Sequence, residues 1–200
     1  WHLANLDNVK VVKLLSRVIM DLAEGEIKQN LNRFDSGQTF SKYINKSYCK
    51  TASLIANSTK ASGVLSNLED EKLDSLYEFG KNIGLAFQVV DDILDFTGTD
   101  KQLGKPAVSD LASGYLTAPV LYALEENENL SVLINRELVE KEDLNNALNI
   151  VMNSQAIKRS RKLAEDFALN SKEAILWLPD SEYKRALLAL PEFVLSRLYS

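Results

Sequence analysis

Three carboxylates, Asp91, Asp92 and Asp95, stand in the otherwise apolar run FQVVDDILDF (residues 87–96). Like charges this close repel one another, and burying them unpaired is costly. Either the acids face water or a cation sits between them. On a helix, at about 100° per residue, Gln88, Asp91, Asp92 and Asp95 fall within an arc of about 100°. They would form one oxygen-rich patch near a helix C-terminus, where the macrodipole disfavours added negative charge. A solvated acidic face would interleave Lys or Arg at i+4, yet residues 87–99 contain neither. A hard divalent cation relieves the same repulsion, since Mg2+ takes one or two carboxylates together with waters and phosphate oxygens. Geometry alone leaves both a metal site and a water-exposed acidic helix end open.

The neighbouring residues tip the balance toward the metal. QLGKP places Gly104 and Lys105 just beyond the acids, and Asp110 follows. A lysine beside a carboxylate-held cation suits a diphosphate group, whose oxygens the metal bridges and the ammonium neutralises. A second lysine, Lys50, precedes Thr51 in SYCKTASLIANSTKASGVL, where Ala52, Ser53, Ala56, Ser58, Ala61, Ser62 and Gly63 are all small. Small side chains let helices pack closely or leave room for a long apolar ligand. Close packing alone is the simpler account of them.

Helices must position these groups. The chain has 200 residues, 46% of them apolar, enough for one domain with a substantial core. Its net charge of -5 argues against a nucleic-acid binder, which would show a basic face. Cys49 is the only cysteine, which excludes an internal disulfide and a multi-cysteine metal site and suits a reducing compartment. It precedes Lys50 and is a small packed residue rather than a nucleophile. The only histidine is His2, which removes the usual His-based nucleophile activation. No apolar run reaches the length of about eighteen residues that a membrane span needs, and no signal-peptide pattern occurs. The chain opens on Trp1 rather than Met, which points to a fragment. With 8 Gly and 4 Pro, long helices are allowed, and Val9, Val12, Leu15, Ile19 and Leu22 recur at helical spacing. The pattern predicts helices over 7–33, 40–66, 71–98, 109–127, 142–153, 155–177 and 180–199. Turn signals FDSGQT, TGTDKQLGKP and LPDS separate them, with Trp177 and Tyr183 packing the last helices together. One all-α domain follows.

GKNIGLAFQVVDDILDFTG with its following GKP resembles the second aspartate-rich motif of the trans-type polyprenyl diphosphate synthases. YCKTASL resembles that family's Lys-Thr motif and VIMDLAEGEIKQ its Gly-Glu helix. SDLASGYLTAPVLYALEE and LPEFVLSRLYS are similar to the solanesyl-type, long-chain branch. The resemblance runs over nearly all 200 residues. It implies an isoprenoid synthase-type helical bundle around a central cavity, of which residues 1–200 form the C-terminal two-thirds. It implies Mg2+-dependent elongation of an allylic prenyl diphosphate with isopentenyl diphosphate to a medium- or long-chain product. Asp91, Asp92 and Asp95 would hold Mg2+, and Lys50 and Lys105 would contact the allylic diphosphate. Thr51 and Gln88 would place oxygens near the allylic carbon, stabilising its developing positive charge. Gly80 and Gly84 would serve close helix packing. A homodimer in the cytoplasm or the plastid stroma is implied as well.

Two departures from the family pattern stand out. A first aspartate-rich motif, followed by paired arginines, is expected upstream of Trp1; LEDEKLD (68–74) and Asp21, Glu24 and Glu26 are poor substitutes. Tyr115 stands where many relatives carry lysine. A non-catalytic subunit of a heteromeric prenyl diphosphate synthase is therefore the alternative, and a terpene cyclase is a third possibility, disfavoured by the Gly-Lys and Lys-Thr pairs. The basic turn Lys158, Arg159, Arg161 and Lys162 is a solvated face rather than a peripheral membrane contact. Two expectations bear directly on geometry. The three acids should sit together at the cavity mouth facing Lys50. Asp91→Ala should leave folding intact, because it relieves like-charge repulsion at the helix end.

Overall fold

The computed structural model describes residues 3–98 and 108–199, so Gly104 and Lys105 lie outside the described residues. After a short 3-10 turn, Ala4–Leu6, helix α1 (Val9–Leu31) starts where the Asn8 side chain accepts a hydrogen bond from Val11 N at 3.1 Å. Helix α2 (Phe40–Ser47) is capped by Thr39 in the same way. It passes without a break through a π-helical turn, Tyr48–Ala52, into α3 (Ser53–Leu65). The extent of this segment matches the predicted 40–66, but the change of winding was not visible in the spacing. Single π-turns inside α-helices redirect side chains and cluster at functional sites. This one carries Lys50 and Thr51.

Helix α4 (Asp70–Thr97) is the central element, with Asp70 and Glu71 in its first turn, where the dipole favours them. It packs against α3 on one side and α9 (Ala156–Ala174) on the other. Phe79, Ile83, Val89, Val90 and Ile93 on α4 join the core with Ala164 and Ala168 of α9. Gly80 and Gly84 bring α4 unusually near its neighbour. A Cβ at Gly84 would lie 2.6 Å from the Ala52 Cα, and one at Gly80 would lie 2.7 Å from the Ala56 Cα.

The predicted helix 109–127 is two helices, α5 (Ser109–Ala112) and α6 (Ala118–Glu126). Gly114 breaks it at φ 79°, a left-handed conformation that glycine adopts readily. The Phe34 ring occupies the space a Cβ would need there. The next helix, α7 (Glu128–Asn135), was not expected. Its only separation from α6 is Asn127, which ends one helix and whose side chain accepts from Asn129 N at 3.0 Å to start the next. Helices α8 (Asp143–Asn153) and α10 (Glu182–Ser196) complete the fold. No strand occurs among the described residues.

Candidate active site

The pocket that matters lies where α4 meets the π-turn, with a volume of about 210 Å³. Gln88 and Asp92, one turn apart on α4, form one wall, and Lys50 with Lys46 of α2 forms another. Gln29 of α1, Asp110 of α5, and Tyr115 and Thr117 before α6 close it.

A chain of hydrogen bonds organises the α4 wall. The Thr51 hydroxyl donates to Gln88 Oε1 at 2.7 Å, and Gln88 Nε2 donates to Asp92 Oδ1 at 2.9 Å. A carboxylate can only accept, so this fixes the amide orientation. The Tyr43 hydroxyl donates to the second oxygen, Oδ2, at 2.6 Å. Asp92 is 2% exposed, and burial pushes its carboxyl up to about 6, opposed by the Lys46 charge and by the bonds from Tyr43 and Gln88. Burial and the neighbouring carboxylate push the Tyr43 phenol well up, so it stays a donor. Lys50 is held ready by Gln29 Oε1 and Glu26 Oε1, each at 2.8 Å.

The other two acids of the motif are placed differently. Asp91 Oδ1 pairs with Arg197 Nη2 at 2.7 Å, at the end of α10, where the guanidinium also lies 4.6 Å from the Phe87 ring centre. Asp95 is wholly buried and accepts from Ser109 Oγ and Asp110 N, each at 3.2 Å. It ties the end of α4 to the start of α5. The structure thus brings Lys50, Gln88 and Asp92 together at one pocket, with Thr51 bonded to Gln88 behind it, whereas Asp91 and Asp95 do not line that pocket. Asp91 has a basic partner that the sequence did not reveal. Arg197 approaches from the far end of the chain, so replacing Asp91 also cuts this tether.

Among the described residues, no group of three acidic, His or Cys side chains is arranged to hold a metal ion. The pocket does offer two carboxylates, Asp92 and Asp110. Two is the number Mg2+ commonly takes from protein when phosphate and water supply the rest, so the donor set fits the ion. Sequence reasoning missed Tyr43, Lys46 and Gln29. The signal for two of them was present, since Tyr43, Lys46 and Lys50 recur at i, i+3 and i+7 on one face.

Tyr43→Phe tests the hydrogen-bonded wall. It removes the donor to Asp92 Oδ2 and should cost about 1–3 kcal/mol at pH 8, where Asp92 is ionised. The loss should shrink at pH 5, where Asp92 holds its own proton. Thermal unfolding at the two pH values checks this, and an equal loss at both would assign Tyr43 to packing alone.

A profile of the polyprenyl synthetase family matches residues 1–151. The chain belongs to the polyprenyl synthetase family. Curated relatives include a prenyl transferase of Synechocystis, 53% identical over 100% of this chain and 62% of that protein. The chloroplastic solanesyl diphosphate synthase 2 of Arabidopsis thaliana is 47% identical over 99% of the chain and 48% of its own length. The chain therefore spans less than two thirds of these relatives. Among solved structures, the heptaprenyl diphosphate synthase of Staphylococcus aureus superposes with a TM-score of 0.89 at 33% identity, covering 94% of this chain and 60% of that one. An Arabidopsis medium/long-chain length prenyl pyrophosphate synthase gives 0.88 at 38% identity, covering 98% and 68%. The fold is the isoprenoid synthase helical bundle of this family. No helix among the described residues is long and apolar enough to cross a membrane. The basic turn is engaged locally: Arg159 pairs with Glu125 at 2.6 Å and Lys162 with Asp166 at 2.7 Å.

Proposed function

We propose that the whole protein elongates an allylic prenyl diphosphate with isopentenyl diphosphate to a medium- or long-chain polyprenyl diphosphate. Residues 1–200 would be the C-terminal two-thirds of one synthase domain. The observation that carries this reading is the meeting of Lys50, Gln88 and Asp92 at one pocket, with Thr51 hydrogen-bonded to Gln88, in a member of the polyprenyl synthetase family. Asp92, with Asp110 of the same pocket, would hold Mg2+; Asp91 and Asp95, the other acids of the motif, would join it on giving up Arg197 and Ser109. When bound, the ion supplies Lewis-acid stabilisation of the departing diphosphate.

The chain's own residues do the rest. Lys50 exchanges its bonds to Gln29 and Glu26 for the substrate's phosphate oxygens, a charge-assisted contact that strengthens as the C–O bond breaks. Thr51 Oγ1 and Gln88 Oε1, fixed by their mutual hydrogen bond, present lone pairs to the allylic carbon as it becomes positive. The double bond of isopentenyl diphosphate attacks that carbon, and loss of a proton completes the new double bond. Lys105, outside the described residues, would add a second ammonium at the same diphosphate.

We further propose a homodimer located in the cytoplasm or the plastid stroma. Exposed apolar residues along α1, among them Ile19, Met20, Ile27 and Leu31, favour a covered face there. The test is mass analysis of the product that the whole protein forms from isopentenyl diphosphate, a short allylic primer and Mg2+. A ladder extended by several isoprene units is expected. A product lengthened by a single unit contradicts the long-chain reading, and no product contradicts the synthase reading.

A further inference from the structure

Of the two lysines lining the pocket, Lys50 is already engaged by Gln29 and Glu26. Lys46, one turn before it on the same face, is not. Among the described residues its ammonium makes no ion pair and no hydrogen bond, and it stands 5.4 Å from the centre of the Tyr43 ring. Burial lowers its pKa, while Asp92 and Asp110 act on it only from a distance. A half-buried ammonium with unused donors is costly unless an anion completes it.

Across the pocket stands a second unused donor. Thr117 is 3% exposed, and its Oγ1 is buried with no hydrogen-bond partner among the described residues. It occupies the N-cap position of α6, where a threonine hydroxyl normally accepts from its own helix, yet it makes no such bond. A buried hydroxyl left in this state needs a partner that the protein itself does not supply.

We propose that Lys46 and Thr117 are diphosphate-binding residues, which with Lys50 form a donor-rich wall facing Asp92 and Asp110. The match is chemical. Phosphate oxygens accept only, while the ammonium of Lys46 and the hydroxyl of Thr117 donate. The competing role for Lys46 is as a counter-charge to Asp92 alone. This inference rests on the synthase reading above.

The test measures binding of inorganic diphosphate to the whole protein by titration calorimetry, with and without Mg2+. Lys46→Gln should weaken binding by about tenfold or more in both conditions, as expected for one charge-assisted hydrogen bond, and Lys46→Arg should restore most of it. Thr117→Val keeps the shape and removes the unpartnered hydroxyl. It should weaken binding by about threefold to tenfold without lowering the thermal midpoint. Unchanged affinity in both Lys46→Gln and Thr117→Val overturns the proposal while leaving the synthase reading intact. Wild-type protein that binds no diphosphate overturns both. Should Lys46→Gln fail to fold, Thr117→Val decides the matter by the same criterion.

Discussion

Asp92→Asn is expected to abolish turnover and, without divalent cation, to make the fold more stable at neutral pH. Buried Asp92 has its carboxyl raised from 3.8 to about 6, so the folded chain holds this proton more tightly than the unfolded chain does. Ionising it therefore opposes folding. The penalty is absent below about pH 4, grows as pH rises, and is complete above about pH 6. A neutral amide escapes it but turns its N–H2 toward one of the two donors, Tyr43 or Gln88, so the net gain at pH 8 is about 1–2 kcal/mol and fades toward pH 4. Turnover, in contrast, should fall by about a thousandfold or more, because the carboxylate holds the ion that neutralises the leaving group. Thermal unfolding at both pH values and a steady-state assay check the two halves separately. Reduced stability at pH 8 with activity retained would make Asp92 a structural acid.

The second large effect belongs to Gly84→Val. A Cβ there would meet the Ala52 Cα at 2.6 Å and the Ala52 Cβ at 2.8 Å. Backbone cannot swing aside as a side-chain tip can, so α4 and the π-turn must separate. The expected loss is about 3 kcal/mol or more, at the upper end of overpacking costs. Gln88 lies one turn further along α4 and Thr51 beside Ala52, so the 2.7 Å bond between them should break with the same movement. Gly63→Ala is the control. Its new methyl would meet only the tips of Leu73 and Leu76, which have other rotamers, and should cost about 1 kcal/mol or less. Urea unfolding of the two variants decides the point. Equal stabilities would show that the close approach at Gly84 carries no energetic weight.

Much of this arrangement was legible in the sequence because helical periodicity is a local property. The long α4, its buried face and the position of Lys50 and Thr51 within a helix all follow from spacing and small residues. The split at Gly114 and the single-residue joint at Asn127 were hidden, since apolar spacing continues across both. The π-turn was hidden for a related reason, because one wider turn leaves the pattern at either side intact.

The site divides along the same line. Gln88 and Asp92 share a face at i and i+4, and the structure places them on one wall. Asp91 and Asp95 share that face on a helical wheel, but periodicity gives a side chain's direction and not what meets it. Arg197 meets Asp91, and Ser109 with the Asp110 amide meets Asp95. Both sets of partners come from other elements. Tyr43 went unnoticed because a buried tyrosine on an amphipathic helix looks like core until its hydroxyl is seen to reach a carboxylate.

Crystals of the whole protein grown with inorganic diphosphate and Mn2+ in place of Mg2+ would test the central claim most directly, because anomalous scattering locates the ion independently of its ligands. The account predicts diphosphate in the pocket in contact with Lys50, and an anomalous peak on Asp92. Diphosphate bound away from Lys50, or a metal that leaves Asp92 untouched, would contradict it.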